Sequence, residues 1–336
     1  MTNKRLSCEK HLKDICLKMK FALGSFLGVL TSLKRITLEK KKLMAKACIN
    51  SVALYGTEVT LEHLEYSKVI EDLEKIQRRY MRNLVGASQN VANETLLTEL
   101  DLPSIREEMA IRMLKLRARL ECDENSFIGK LFTLCKQLRL KWEIKYERLI
   151  KYYNMPYRSF SELENKDIEI IKNSERLRRY NSLVSKSTTN LYRKLCGNLN
   201  KKKVCLYLKE NTHRKRATRI LFGLRTGSNH SMMCQYSRCL KISPFCVFYP
   251  KIIEDEAHII EECPLYNDAR TILRENLKEK ILGIYYKLTL VEIVLNGKKF
   301  EKYIRENSNK TKRKVDSIIK NFVESIDNKR KQLKID

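Results

Sequence analysis

Between Cys239 and Arg270 the chain reads CLKISPFCVFYPKIIEDEAHIIEECPLYNDAR, and within it Cys246, His258 and Cys263 are spaced Cys-x11-His-x4-Cys. No other stretch restricts the fold as strongly, because thiolate and imidazole donors at this spacing can converge on one metal ion. A structural zinc site takes four donors in a tetrahedron, and a short loop followed by His-x4-Cys delivers three of them. In a compact knuckle the remaining cysteine would fall two residues before Phe245, where this chain has Ser243. A serine hydroxyl is a poor zinc ligand at neutral pH. Cys239 is the nearest replacement and closes a Cys-x6-Cys loop, with Cys234 more remote. The plainer alternative is reduced thiols beside an ordinary helical histidine.

Composition sets the class around this site. Ten Gly and five Pro in 336 residues, with abundant Leu, Lys, Glu and Arg, predict a mainly α chain long enough for two domains. Sixty-eight Lys and Arg against 40 Asp and Glu leave a net charge of +28, which repels itself in a compact state unless polyanions are the neighbours. RNA or DNA is therefore the expected partner, against the plainer account of a Lys-rich, AT-biased proteome. Eleven cysteines behind the charged start MTNKRLSCEKHLKDICLKMK fit a reducing compartment, nuclear or cytoplasmic rather than secreted, without disulfides. The longest near-apolar run, Phe21 to Leu30, is about half of what a bilayer span needs, so no membrane is expected.

Taken whole, SPFCVFYPKIIEDEAHIIEECPLYNDAR resembles the zinc-binding segment beyond the polymerase core of reverse transcriptases from non-LTR (LINE-like) retrotransposons. That segment has the form Cys-Pro-x-Cys, an acidic Glu-Asp-Glu, His-x4-Cys-Pro and then Arg, and only the first cysteine departs here. Leu224-Arg225-Thr226-Gly227 is similar to the Leu-Arg-Thr-Gly upstream of the knuckle in the same family. LYGTEVT at 54–60, IQRRYMRNLVGAS at 76–88 and ETLLTELDLPSIREEMAIRMLKLRARL at 94–120 resemble the thumb-like helical region that follows the polymerase palm. The blocks occur in the family's order. The resemblance implies a thumb-like helical domain over 1–121, a helical connector over 122–200, a basic segment with a zinc-binding module over 201–275, and a helical tail over 276–336.

Periodicity supplies the local expectations. Leu12, Ile15, Met19 and Leu23 predict an amphipathic helix broken near 28–31 and followed by a second. Ile70, Leu73, Ile76, Tyr80 and Leu84 predict a helix over 64–85 that ends at Gly86. Ser104 with Glu107 three residues later is a capping box opening a helix to about Leu120 through Ile105, Met109, Met113 and Leu116. Near the end, Val315, Ile318, Ile319, Phe322, Val323 and Ile326 share one face of an amphipathic helix from about Lys312 to Leu333.

Chemistry is narrowed by what the chain lacks. A polymerase palm holds two divalent metals on paired carboxylates, and no Asp-Asp pair occurs anywhere. The resemblance therefore implies that the catalytic half lies upstream and that this chain does not polymerise. Glu254, Asp255, Glu256, Glu261 and Glu262 surround His258 without the His-Glu-x-x-His arrangement of a metallohydrolase, and read as surface carboxylates tuning a structural metal. For nucleic acid the best candidates are Lys201, Lys202, Lys203, Arg214, Lys215, Arg216, Arg219 and Arg225, in a stretch with nine Lys or Arg against one Glu. A solvated helix face is the competing account, and a nuclear-localisation patch is compatible with either. Trp142, Tyr146, Tyr152, Tyr153 and Tyr157 alternate with basic residues, but the spacing of Trp142, Tyr146 and Leu149 favours core packing over base stacking. The expectation is a nucleic-acid-binding C-terminal portion of an RNA-directed DNA polymerase, carrying structural Zn and partnering RNA, DNA or an intact reverse transcriptase. Its rival is a decayed or co-opted helical protein-interaction module that has lost its zinc.

Overall fold

The computed structural model describes residues 8–32, 36–57, 68–123, 125–156, 165–186, 189–196, 204–210, 213–241, 243–281, 288–296, 300–305 and 308–333. Among them there is no β-strand, only the isolated bridges Phe245 with Ile253 and Ile281 with Ile304, so the mainly α expectation holds. No helix of the described residues is long and apolar enough to cross a membrane.

Most helix limits follow the local signals. The first helix, Cys8–Ser32, buries Ile15, Met19, Leu23 and Phe26 and runs on through the break expected near 28–31, and the next begins at Leu38. Lys68–Val85 buries Ile70, Leu73, Ile76 and Tyr80 and stops at Gly86, whose φ of 68° suits a residue without Cβ. Ser104 accepts a 3.1 Å hydrogen bond from the Glu107 amide and caps Ile105–Cys122. The Glu107 carboxylate pairs instead with Arg179 at 3.2 Å. Ser308 caps the Asn309–Gln332 helix through the Thr311 amide, and that helix buries Val315, Ile319, Phe322, Val323 and Ile326.

Contacts divide the chain into two compact units that are discontinuous in sequence. One comprises Met1–Leu33, Lys42–Tyr80 and Leu102–Arg179, the other Lys34–Lys41, Met81–Asp101 and Tyr180–Asp336. This differs from the expected divisions at 121, 200 and 275. The physical reason lies in buried charge. Glu99, expected in the thumb-like domain, receives the hydroxyls of Tyr192 at 3.0 Å and Tyr207 at 2.8 Å, and its Oε1 lies 2.6 Å from Arg225 Nε. The segment around it therefore belongs with the C-terminal half. The presumed tail belongs there as well, because Asn309–Gln332 packs on both Lys215–Thr226 and Asn267–Lys278. Its Lys320, fully buried, pairs with Asp316 at 2.9 Å and donates to the carbonyls of Tyr207 and Glu210.

In the first unit, Arg117 is buried against Glu121 and Glu143, with its guanidinium over the rings of Phe132 at 4.6 Å and Tyr146 at 4.4 Å. Trp142 stacks on Tyr146 at 5.9 Å, and Arg178 covers Tyr152 at 3.7 Å. These aromatic faces are occupied from within, as the core-packing reading expects; Tyr157 lies outside the described residues.

Arg225→Ala leaves the Glu99 carboxylate buried without its cation, and breaking a buried pair in this way costs about 3–5 kcal/mol. Urea denaturation should show a midpoint lowered accordingly. An unchanged midpoint would show that Glu99 gains nothing from the guanidinium.

Candidate metal centre

The three spaced donors meet. Cys246, His258 and Cys263 are each 2% exposed or less, and their ligand atoms all lie within 4.8 Å of one another. A tight reversal sets the first. The Cys246 amide donates to Ile252 carbonyl at 2.8 Å, the Tyr249 amide returns to Cys246 carbonyl at 3.2 Å, and Glu254 amide reaches Pro244 carbonyl at 2.9 Å. Phe245 pairs with Ile253 across the turn.

His-x4-Cys needs a different device. In an α-helix, residues five apart point about 140° away from each other. Here His258–Glu262 is a π-helical turn, closed by the Cys263 amide on His258 carbonyl at 2.7 Å, and the wider turn brings Cys263 back beside the imidazole. Asp255 starts it by accepting from the His258 amide at 2.8 Å. Arg270 closes the far side by donating to the Cys263 carbonyl, and it also reaches Asn267 Oδ1 at 2.5 Å. The terminal Arg of the motif thus holds backbone rather than ligand.

The donor chemistry fits a tetrahedral metal. Cys246 Sγ and Cys263 Sγ are 3.9 Å apart, against about 3.8 Å for two sulfurs each 2.3 Å from one zinc. His258 Nε2 is buried without a hydrogen-bond partner. Its other ring nitrogen, Nδ1, faces Glu262 Oε2 at 3.4 Å, the carboxylate support common behind metal-bound histidines. Burial pushes the Cys263 thiol up to about 11, with the neighbouring Cys246 adding to the shift. Metal binding must therefore displace protons, and affinity rises with pH through the neutral range.

Cys239 does not join these three donors. That residue is exposed, in a left-handed turn at φ 57°, and stands outside the cluster. The turn is tied back by the Cys239 amide on Tyr236 carbonyl and the Leu240 amide on Gln235 carbonyl. Cys234 is directed elsewhere, donating to Gly227 carbonyl at 3.1 Å. Ser243 Oγ accepts from the Phe245 amide at 3.2 Å, within the knuckle turn.

Of the carboxylates around His258, Glu262 is the exposed one, as expected, while Glu254, Glu256 and Glu261 are not merely surface groups. Glu254 is buried, taking Met232 amide and Arg330 at 2.9 Å each. Glu256 accepts from Asn229 Nδ2 at 2.5 Å, and its carboxyl is raised above the usual range by burial. Glu261 accepts from Val291 amide at 2.9 Å. Each fastens one strut of the module.

The basic segment separates into two kinds of residue. Arg225 is buried: beyond Glu99 it donates to the carbonyls of Leu295 and Asn296 and to Cys196 Sγ, so it is withdrawn from any phosphate. Arg214 binds Ser317 carbonyl, Asn321 and Glu324, and Arg216 binds Asp327 and Asn328. Lys215 and Arg219 are exposed. Lys201, Lys202 and Lys203 lie outside the described residues. The one sequence signal that the Arg of Leu-Arg-Thr-Gly is internal is its apolar helix neighbours Leu221, Phe222 and Leu224.

No family model matches the chain, and no curated protein or solved structure matches it either.

Protein purified without chelators should carry close to one equivalent of zinc by elemental analysis. Cys246→Ala and Cys263→Ala should abolish it, whereas Cys239→Ala should leave it unchanged. Glu262→Gln should weaken zinc about tenfold by loosening the imidazole. A Cys239→Ala protein that lost its zinc would return that residue to the ligand set.

Proposed function

We propose that this chain is a non-catalytic, nucleic-acid-binding part of a non-LTR retrotransposon reverse transcriptase, organised in its C-terminal half around one structural zinc ion. The observation that carries the reading is the meeting of Cys246, His258 and Cys263 with an unpartnered Nε2 in the order and spacing of that family's knuckle. Bound zinc would supply a cross-link between the reversal at 244–254 and the turn at 258–263. Arg270, Glu262 and Asp255 hold those two pieces in place. Lys215 and Arg219 offer exposed cations on the Lys215–Thr226 helix, whose other arginines bind within the protein. Phosphate contacts from such residues position a strand without reading its sequence.

One feature favours a second reading, that of a helical protein-interaction module. The Phe127–Gln137 helix exposes Phe127, Ile128, Leu131 and Leu134, a run of large apolar residues that suits a protein neighbour. Salt separates the two. Binding through phosphates weakens as counterions are added, with a log–log slope near −0.9 per phosphate on duplex DNA or about −0.7 on single strands.

Fluorescence anisotropy across a salt series should therefore give a steep slope, and Lys215→Ala with Arg219→Ala should flatten it by about one and a half to two units, alike for all sequences. A slope that the double variant leaves untouched would place the contact elsewhere. With primed template, magnesium and nucleotides the chain should extend nothing; incorporation by pure protein would contradict the non-catalytic assignment.

A further inference from the structure

The second unit contains a cavity of about 360 Å³ that the zinc site does not explain. Its walls come from the turn at 86–88, the Lys215–Thr226 helix, the turn at 228–231 and the end of the C-terminal helix. We propose that it is a binding pocket for one unpaired nucleotide, with Arg219 and Arg238 on the phosphate and the base against the apolar floor. This rests on the nucleic-acid reading above and narrows it to a site.

Charge is the first argument. Five cationic side chains line the cavity, Arg216, Arg219, Arg238, Arg330 and Lys331, against one carboxylate, Asp327. Three of the five are engaged. Arg216 and Lys331 share Asp327, and Arg330 holds Glu254 and the His230 carbonyl. Arg238 donates to Gly227 carbonyl at 3.1 Å and faces no carboxylate among the described residues. Arg219 makes no hydrogen bond or ion pair among them. Two guanidinium groups with free N–H donors on one cavity are matched by a phosphate, which guanidinium binds in a forked geometry.

Shape is the second. Half-buried Ile220 lines the same cavity beside the almost fully buried Phe222, Ile259 and Ile326, so an anion alone would leave an apolar floor uncovered. A base with its phosphate covers both kinds of surface. The volume lies at the small end of small-molecule sites, about 300–1,000 Å³, and excludes a duplex. Ser88 and Ser228 add hydroxyls at the wall.

Two glycines set the walls. A Cβ on Gly86 would meet Arg219 Cβ at 3.3 Å in a backbone already at φ 68°, and one on Gly223 would meet the Ser228 carbonyl at 3.1 Å. The turn at 86–88 can therefore lie directly on the stem of Arg219.

The test uses the full chain with three probes: adenosine monophosphate by calorimetry, a blunt 12-base-pair duplex, and the same duplex with a five-nucleotide overhang. Wild type should bind the monophosphate saturably and prefer the overhang to the blunt duplex by about tenfold. Ser88→Trp, which fills the cavity without altering charge, should lose both while keeping the blunt-duplex affinity. Arg219→Gln should lose monophosphate binding and serves where the tryptophan variant does not fold, as judged by thermal unfolding. Monophosphate binding without an overhang preference would assign the pocket to a free nucleotide and overturn the strand assignment. Variants that keep both properties would overturn the pocket itself, with the nucleic-acid reading intact. If wild type binds neither duplex, that reading fails. The pocket then stands or falls on whether Ser88→Trp removes monophosphate binding or there is none to remove.

Discussion

A buried polar atom without a partner costs about 1–3 kcal/mol, and His258 Nε2 is such an atom, enclosed with two cysteine sulfurs. Folds retain groups of this kind where something else satisfies them. A cation bound by two thiolates and an imidazole does so, and it also removes the mutual repulsion of the two thiolates as they ionise. The surrounding struts then follow. A π-helical turn turns His258 and Cys263 to the same side, Arg270 holds the Cys263 carbonyl, and Glu254 joins the knuckle to Met232 and Arg330.

Part of the basic character of the C-terminal half is internal. Arg225, Arg270, Lys320 and Arg330 are all buried, bound to Glu99, to Cys263 carbonyl, to Asp316 and to Glu254. The Arg225–Glu99 and Arg330–Glu254 pairs join stretches far apart in sequence, and the first ties Met81–Asp101 to Tyr180–Asp336. A high Lys and Arg count therefore overstates the surface offered to a polyanion. Exposed cations remain, among them Lys209, Lys215, Arg219, Lys251, Arg274, Lys310 and Lys314, and of the cations without a carboxylate partner Arg219 and Arg238 line one cavity. Electrostatic attraction would draw a strand in generally, while the cavity would fix a single nucleotide.

Helices were legible where local chemistry decides them. The Ser104 cap, the Gly86 stop and the stripe Ile70, Leu73, Ile76, Tyr80 each depend on residues within one or two turns. The metal ligands were legible for the same reason, since Cys246, His258 and Cys263 lie within 18 residues. Long-range pairing was not. Nothing near Glu99 signals that its partners are Tyr192, Tyr207 and Arg225, so the discontinuous compact units are not legible there. Cys239 is the nearest spare thiol in sequence but stands in a left-handed turn outside the cluster. The five carboxylates around His258 look equivalent in sequence, yet Asp255 and Glu262 meet His258 itself while Glu254, Glu256 and Glu261 hold other segments.

X-ray absorption at the zinc edge addresses the centre most directly, because it counts ligand types whatever the protein's partner is. The account requires two sulfurs at about 2.3 Å and one imidazole nitrogen at about 2.0 Å, with a light oxygen or nitrogen atom completing the shell. A shell with three or four sulfurs would contradict it by bringing Cys239 or Cys234 into the site, and a shell of light atoms alone would show that zinc does not bind at Cys246 and Cys263.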